Sequence, residues 1–241
     1  MSVLVVAGGP ADQEVLRALR FEDVTISNLD ESLPADSFQP YRWSFQDAES
    51  LDYPDGAFDL VVVSAGLHHC RSPHRALLEM YRVARKVVLA LESRDSLLMR
   101  AAIRLGAVDE YELTAVAANS FESGGVRNSS TPNFVYRWTE REVRKTIASH
   151  APHARHRIVF FREFELPFSV LDLRGRPVWR LAARVLNPLL VVLTKLFPRQ
   201  ANLFGFAIVK PELPRDLFPW MKLTEAGPAP DEAWIRSRLR G

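Results

Sequence analysis

The sequence predicts an α/β protein built on a doubly wound, mostly parallel sheet. Two observations carry that prediction. VLVVAGG (Val3 to Gly9) and FDLVVVS (Phe58 to Ser64) are short, continuous apolar runs, each flanked by turn residues, as expected of strands buried on both faces of a parallel sheet. Between and after them, runs of this kind alternate with segments of helical apolar spacing over short connections, which is the pattern of βα units.

The elements follow in order. Val3 to Ala7 is the first strand. Asp12 can cap the helix that follows, with Val15, Leu16 and Leu19 on one face. Val24 to Ser27 is the second strand, and the alternating YRWSF (Tyr41 to Phe45) a short third. Pro54 to Gly56 marks a turn before the fourth strand, Phe58 to Ser64. Ser72 and Pro73 start a helix carrying Ala76, Leu77, Met80, Tyr81 and Val83, and Lys86 to Leu91 is the next strand. Leu97 to Leu105 reads as helix. Asn119 to Asn133 is a polar loop of about 15 residues, a length often reserved for function. Thr139 caps a helix, and Glu142 completes a capping box. His156 to Phe164 and Leu203 to Val209 are strands on either side of a helical region, Pro177 to Phe197. The organisation expected is one domain over 1–211, with halves 1–95 and 96–211 and a peripheral tail over 212–241.

Composition narrows the function classes. The 241 residues carry 31 basic and 29 acidic side chains, a formal net charge of +2, too even for bulk electrostatic binding of nucleic acid. One cysteine, Cys70, excludes an internal disulfide and a multi-cysteine zinc site and suits a reducing cytoplasm. No signal-peptide pattern opens the chain, and Leu186 to Phe197 is broken by Pro188, Thr194 and Lys195, short of the roughly 20 residues of a membrane span. A soluble, cytoplasmic protein is expected. His150, His153 and His156 recur every three residues, but Pro152 intervenes and no carboxylate is spaced to join them. They read as loop residues, and no metal site is expected.

The candidate chemistry sits at the strand ends. Glycines after the first strand let backbone approach a ligand, and the helix that follows offers its free N–H groups. Asn28 and Asp30 end the second strand, about 20 residues on, where nucleotide-binding sheets hold a ribose diol. Asp47 follows the third strand and can accept a hydrogen bond from an exocyclic amine, with the Ala48 N–H beside it. His68 and His69 follow the fourth strand, and an imidazole suits a base near neutrality. In the long loop and its exit, Arg127, Asn128, Asn133, Tyr136, Arg137 and Trp138 combine polar and aromatic surface for an acceptor pocket. Tyr136 and Trp138 serve either that pocket or the core.

These residues resemble the class I S-adenosylmethionine-dependent methyltransferases, in the small-molecule group that includes the ubiquinone-type enzymes (type 11). The motif D-A-x-x-L-x-Y/F-P-D-x-x-F-D-L-V runs from Asp47 to Val61. SAGLHH follows at Ser64 to His69, VYRWTEREVRKTI at Val135 to Ile147, and the closing strand is FGFAIVKP. The resemblance implies a seven-stranded, Rossmann-like sheet with an antiparallel last strand. It also implies S-adenosyl-L-methionine held by Ala7, Gly8, Gly9, Asn28, Asp30, Asp47, Ala48 and Ser64, with His68 or His69 activating a small-molecule acceptor, first of all a hydroxyl of a glycan or natural-product precursor.

The sequence departs from the family at three places. Of the family's G-x-G-x-G only Gly9 survives, with Ala7 and Ala11 at the other positions. Asn28 stands where the ribose-binding acid is usual, and the given sequence opens on the first strand, without the helices the family usually places before it. A nicotinamide-dependent oxidoreductase uses the same sheet, but its third spaced glycine is replaced by Asp12. A catalytically silent member of the fold that binds a partner or a membrane surface is the other alternative. It is motivated by the apolar stripe of Val178, Leu181, Val185, Leu189, Val192, Leu193 and Leu196 and its basic flank. The 174–199 segment is expected first as a lid packed on the sheet and second as a contact with a membrane or a lipid-linked acceptor.

Overall fold

The computed structural model describes residues 1–30, 32–166 and 177–239. Seven strands form one sheet: β1 (Val3–Val6), β2 (Val24–Asn28), β3 (Arg42–Phe45), β4 (Phe58–Ser64), β5 (Ala84–Ser93), β6 (Arg157–Glu163) and β7 (Leu203–Val209). Their order is β3-β2-β1-β4-β5-β7-β6. The first five are parallel to one another, and β7 runs antiparallel to both of its neighbours. The doubly wound sheet with an antiparallel last strand is therefore present as expected.

Alternation along the buried strands builds two cores. Leu4 and Val6 face one side with Val61, Val63, Val88 and Phe206, covered by α2 (Pro73–Val83) and α5 (Glu140–His150). Val3 and Val5 face the other with Ile26, Phe38 and Tyr41, where Leu16 of α1 (Pro10–Ala18) packs. Helix α1 differs in detail from its expectation. Gly9, not Asp12, is the N-cap, and Asp12 at the third position reaches back to the Gly9 N–H. Val15 and Leu19 are exposed, because the buried face turns on Gln13, whose amide satisfies the carbonyls of Ser37 and Gln39.

The second half adds α3 (Leu97–Arg104), α4 (Leu113–Ala118) and the long α6 (Pro177–Leu196). The capping box at Thr139 and Glu142 starts α5 as expected. Helix α4 and the tail's β8 (Met221–Thr224), β9 (Gly227–Pro230) and α7 (Glu232–Leu239) were not expected. Each is short and weakly patterned. The stripe of α6 is not packed as a lid: Leu181, Val185, Leu189, Val192 and Leu196 are exposed, while Thr194 on the opposite side is buried. The Val178 side chain and residues 174–176 of the expected lid lie outside the described residues. No helix among the described residues is long and apolar enough to cross a membrane.

Candidate active site

At β1 and β4 the strand order reverses, with β2 and β3 to one side and β5 to the other, so a crevice opens at the carboxyl ends of the strands. The loops after β1 and β4 meet there. Ala7 (φ 52°) and Ala65 (φ 51°) both adopt the left-handed conformation that L side chains disfavour. A Cβ on Gly66 would stand 2.8 Å from both Ala7 Cβ and Val63 Cγ2, so only glycine lets the two loops close on each other.

The first cleft lies over this junction. Of the residues expected to hold a cofactor, Ala7, Asn28, Asp30, Asp47 and Ala48 line it together. Gly8, Gly9 and Ser64 do not. Gly8 is buried over Val5 with its N–H on the Ser27 carbonyl, and the Gly9 N–H is held by Asp12 Oδ2 at 2.8 Å. Ser64 ends β4, paired in register with Leu91. Asn28 does something a carboxylate could not: its amide donates to the Gly8 carbonyl at 2.9 Å and accepts the Asp30 N–H at 3.2 Å, clamping the first loop to the second.

Arg127 and Asn128, expected on the acceptor side, line this first cleft instead. Arg127 Nη1 sits 2.8 Å from Asp47 Oδ2, so the long loop arches across the cleft and places a guanidinium on the carboxylate at the end of β3. The turn holding it is tight: a Cβ on Gly125 would fall 1.9 Å from the Thr131 carbonyl oxygen.

His68 and His69 form the wall between this cleft and a second one, and their environments separate them. His68 is buried. Its Nδ1 is 2.9 Å from Glu92 Oε2 and its Nε2 is 3.4 Å from Glu112 Oε2. Burial alone opposes the charged ring, but the two carboxylates outweigh it and raise the pKa to about 9. In return, the His68 hydrogen bond holds Glu112 down at about 2. His69 lines the first cleft, with Nε2 3.4 Å from Glu112 Oε2. Burial, and then the neighbouring His68 charge, lower its pKa. His68 is thus a fixed cation and His69 a neutral imidazole. The donor atoms of His68, His69 and Glu112 lie within 4.8 Å of one another, close enough for a metal ion. A metal ion there would have to displace the proton that Glu92 and Glu112 favour on His68.

The second cleft is lined by His68, Arg71, Asn133, Phe134 and Tyr136, among others. Asn133 is buried, donates to Glu112 Oε2 at 3.2 Å and leaves its Oδ1 without a partner. The Tyr136 hydroxyl donates to Glu142 Oε1 at 2.7 Å. Two residues expected here are elsewhere. Arg137 turns back to the carbonyls of Val135 and Asp109. Trp138 is fully buried and takes the core role, packed between His74 and Phe206. Its backbone N–H donates to the Ser93 carbonyl at the end of β5, while its buried indole N–H has no partner. Sequence reasoning missed Glu92 and Glu112. Glu92, a carboxylate closing the apolar run of β5, was the readable signal. Glu112 had none, because the histidines it meets lie more than forty residues away.

Residues 14–89 match the family model described as a methyltransferase domain. No curated protein matches the chain. Several solved structures share its fold. The YcgJ protein of Bacillus subtilis is 14% identical with a TM-score of 0.52, covering 88% of this chain and 92% of its own. A putative methyltransferase of Bacillus halodurans is 14% identical with a TM-score of 0.50, over 88% and 93%. Magnesium protoporphyrin IX methyltransferase of Synechocystis, solved with bound S-adenosylhomocysteine, is 12% identical with a TM-score of 0.50, over 88% and 74%. The match runs from α1 into β5, so this part of the chain is similar to a methyltransferase domain, and its sheet has the fold of the class I methyltransferases.

Proposed function

We propose that the protein transfers the methyl group of S-adenosylmethionine to a hydroxyl of a small-molecule acceptor, a glycan or natural-product precursor being the first expectation, with His69 as the base. The contrast between the two histidines carries this reading: His69, its ring between Glu112 and the Gly125 carbonyl, has its pKa lowered and lines the cofactor cleft, whereas His68 is held charged and lines the other.

The first cleft fits the cofactor. Its carboxylates, Asp30 and Asp47, stand at the ends of adjacent strands, suited to a ribose diol and an exocyclic amine, and the Ala48 N–H lies beside them. The glycine-closed junction of Ala7 and Gly66 leaves backbone bare at its floor. Gly8 and Gly9 act from beneath by shaping the loop, and Ser64 by ending the strand. Arg127 already pairs with Asp47, so it competes with any amine brought to that carboxylate. When bound, S-adenosylmethionine supplies an electrophilic methyl carbon on a sulfonium. The chain's own contribution is alignment and proton transfer. His69 would take the hydroxyl proton as the methyl carbon exchanges its bond to sulfur for one to the acceptor oxygen, with S-adenosylhomocysteine as the leaving group. The His68 cation, fixed by Glu92 and Glu112, holds the wall on which His69 sits. Asn133, with its free Oδ1, and Tyr136 orient the acceptor from the second cleft.

Calorimetric titration with S-adenosylhomocysteine tests the cofactor assignment. Binding is expected. Absence of binding would support a catalytically silent protein, and stabilisation by NAD alone would support an oxidoreductase.

A further inference from the structure

Helix α6 carries its apolar residues on the wrong side for a core helix. Leu181, Val185, Leu189, Val192 and Leu196, spaced 4, 4, 3 and 4 apart, share one face and are between 54% and 70% exposed. Behind them Thr194 is buried, its hydroxyl donating to the Leu190 carbonyl. Arg184 and Lys195, both exposed, run along one flank of the stripe, and residues 177–199 contain no Asp or Glu.

Other elements of the second half also expose apolar side chains. Leu97, Leu105, Leu113 and Phe121, on α3, α4 and the turn after it, are each more than half exposed. The end of α6 is tied to the catalytic edge of the sheet. The Arg94 guanidinium donates to the Arg199 carbonyl, and the Leu98 N–H donates to Gln200 Oε1. Leu203 then pairs with Ser93, the residue after the Glu92 that holds His68. The turn that ends α6 is therefore joined to the end of β5, the strand whose Glu92 holds His68 at the clefts.

We propose that α6 lies flat in the surface of an anionic lipid bilayer, its stripe among the acyl chains and Arg184 and Lys195 on the headgroups, bringing the second cleft to an acceptor carried in that surface. The charge pattern selects this occupant. A second copy packed stripe to stripe would set like cations beside one seam with no carboxylate on either helix to offset them. An anionic bilayer offers acyl chains to the stripe and opposite charge to its flank. The acceptor clause rests on the proposed methyl transfer, and the surface binding does not.

The test is co-sedimentation of the full chain with vesicles of phosphatidylcholine alone or with about a third phosphatidylglycerol. Binding is expected to the anionic vesicles, with Lys195→Gln weakening it about fivefold, the share of one cation near such a surface. Val185→Glu with Leu189→Glu is expected to abolish it at unchanged melting temperature and unchanged S-adenosylhomocysteine affinity. A wild-type chain that stays in the supernatant with anionic vesicles overturns the proposal. So does sedimentation showing a dimer that the double variant splits, which would assign the stripe to a second copy. Vesicle binding without S-adenosylhomocysteine binding would keep the surface and remove the methyl-transfer reading. The reverse result would keep methyl transfer and remove the surface.

Discussion

Residues 1–95 and residues 96–211 share one sheet but place their apolar and charged groups in opposite ways. In the first half β1, β2 and β4 bury both faces, and the carboxylates Asp30 and Asp47 stand at the strand ends facing the crevice. In the second half large apolar side chains of α3, α4 and α6 face outward, and a carboxylate, Glu112, is drawn in to meet a histidine. The first half is shaped for a polar ligand on a finished core. The second half leaves apolar surface that only another phase or molecule can cover. His68 and His69 stand on the boundary between them.

The largest expected effect tests that boundary. His69→Ala should lower kcat about 10²- to 10⁴-fold, the usual range for a general base, while S-adenosylhomocysteine affinity changes less than twofold. Equal losses in both would move His69 from the base role to the cofactor site, and single-turnover kinetics beside calorimetry would show which.

Next comes the pH dependence of the bridge between the halves. His68 titrates near 9 in the folded protein against 6.5 unfolded, so its stabilisation is complete below about 6.5 and is lost as pH rises through 9. The loss should approach about 2–3 kcal/mol of unfolding free energy. Glu112, held near 2 against 4.5, gives the opposite limb: its contribution is present above 4.5 and fades as pH falls toward 2. His69, lowered by burial, also favours the fold above its unfolded value, since charging it costs more in the folded chain. Urea melts from pH 4 to 10 should show the alkaline fall in the wild type and a flattened one in His68→Asn. An unchanged alkaline limb in that variant would detach His68 from the bridge.

Smaller effects belong to the first cleft. Arg127→Ala frees Asp47 from a partly exposed ion pair, worth up to about 1 kcal/mol. S-adenosylhomocysteine should then bind about two- to fivefold tighter by calorimetry. Weaker binding would make Arg127 a ligand of the cofactor instead of its competitor. The smallest change expected is from Ala7→Gly. Relief of a left-handed alanine, about 1–2 kcal/mol, is partly offset by the freer unfolded chain, about 0.4–1 kcal/mol. A net gain of about 0.5–1 kcal/mol should appear in thermal unfolding.

Much of the cofactor half was legible because its signals are local. The apolar runs at Val3 and Phe58 and the turn at Pro54 to Gly56 each specify their own backbone, and the polar residues after each strand fall at the crevice because parallel strands end on one edge. Ala7 kept a glycine-like conformation without being glycine, so the motif looked more degraded than the fold is. The acceptor half was less legible. Trp138 and Tyr136 are two residues apart and both aromatic, yet one is core and the other lines a cleft. Arg127 read as an acceptor contact until the loop's arch carried it to Asp47.

By itself, then, the sequence determined the succession of strands and helices in the sheet's first half, the edge where chemistry gathers and the presence of two histidines there, because side-chain period and turn residues act over a few positions. Only the tertiary structure decided which histidine is charged, which cleft Arg127 serves and which way the stripe of α6 faces. Those depend on pairings such as His68 with Glu92 and Glu112. They are set by desolvation and Coulomb forces between residues distant in the chain, which no local pattern records.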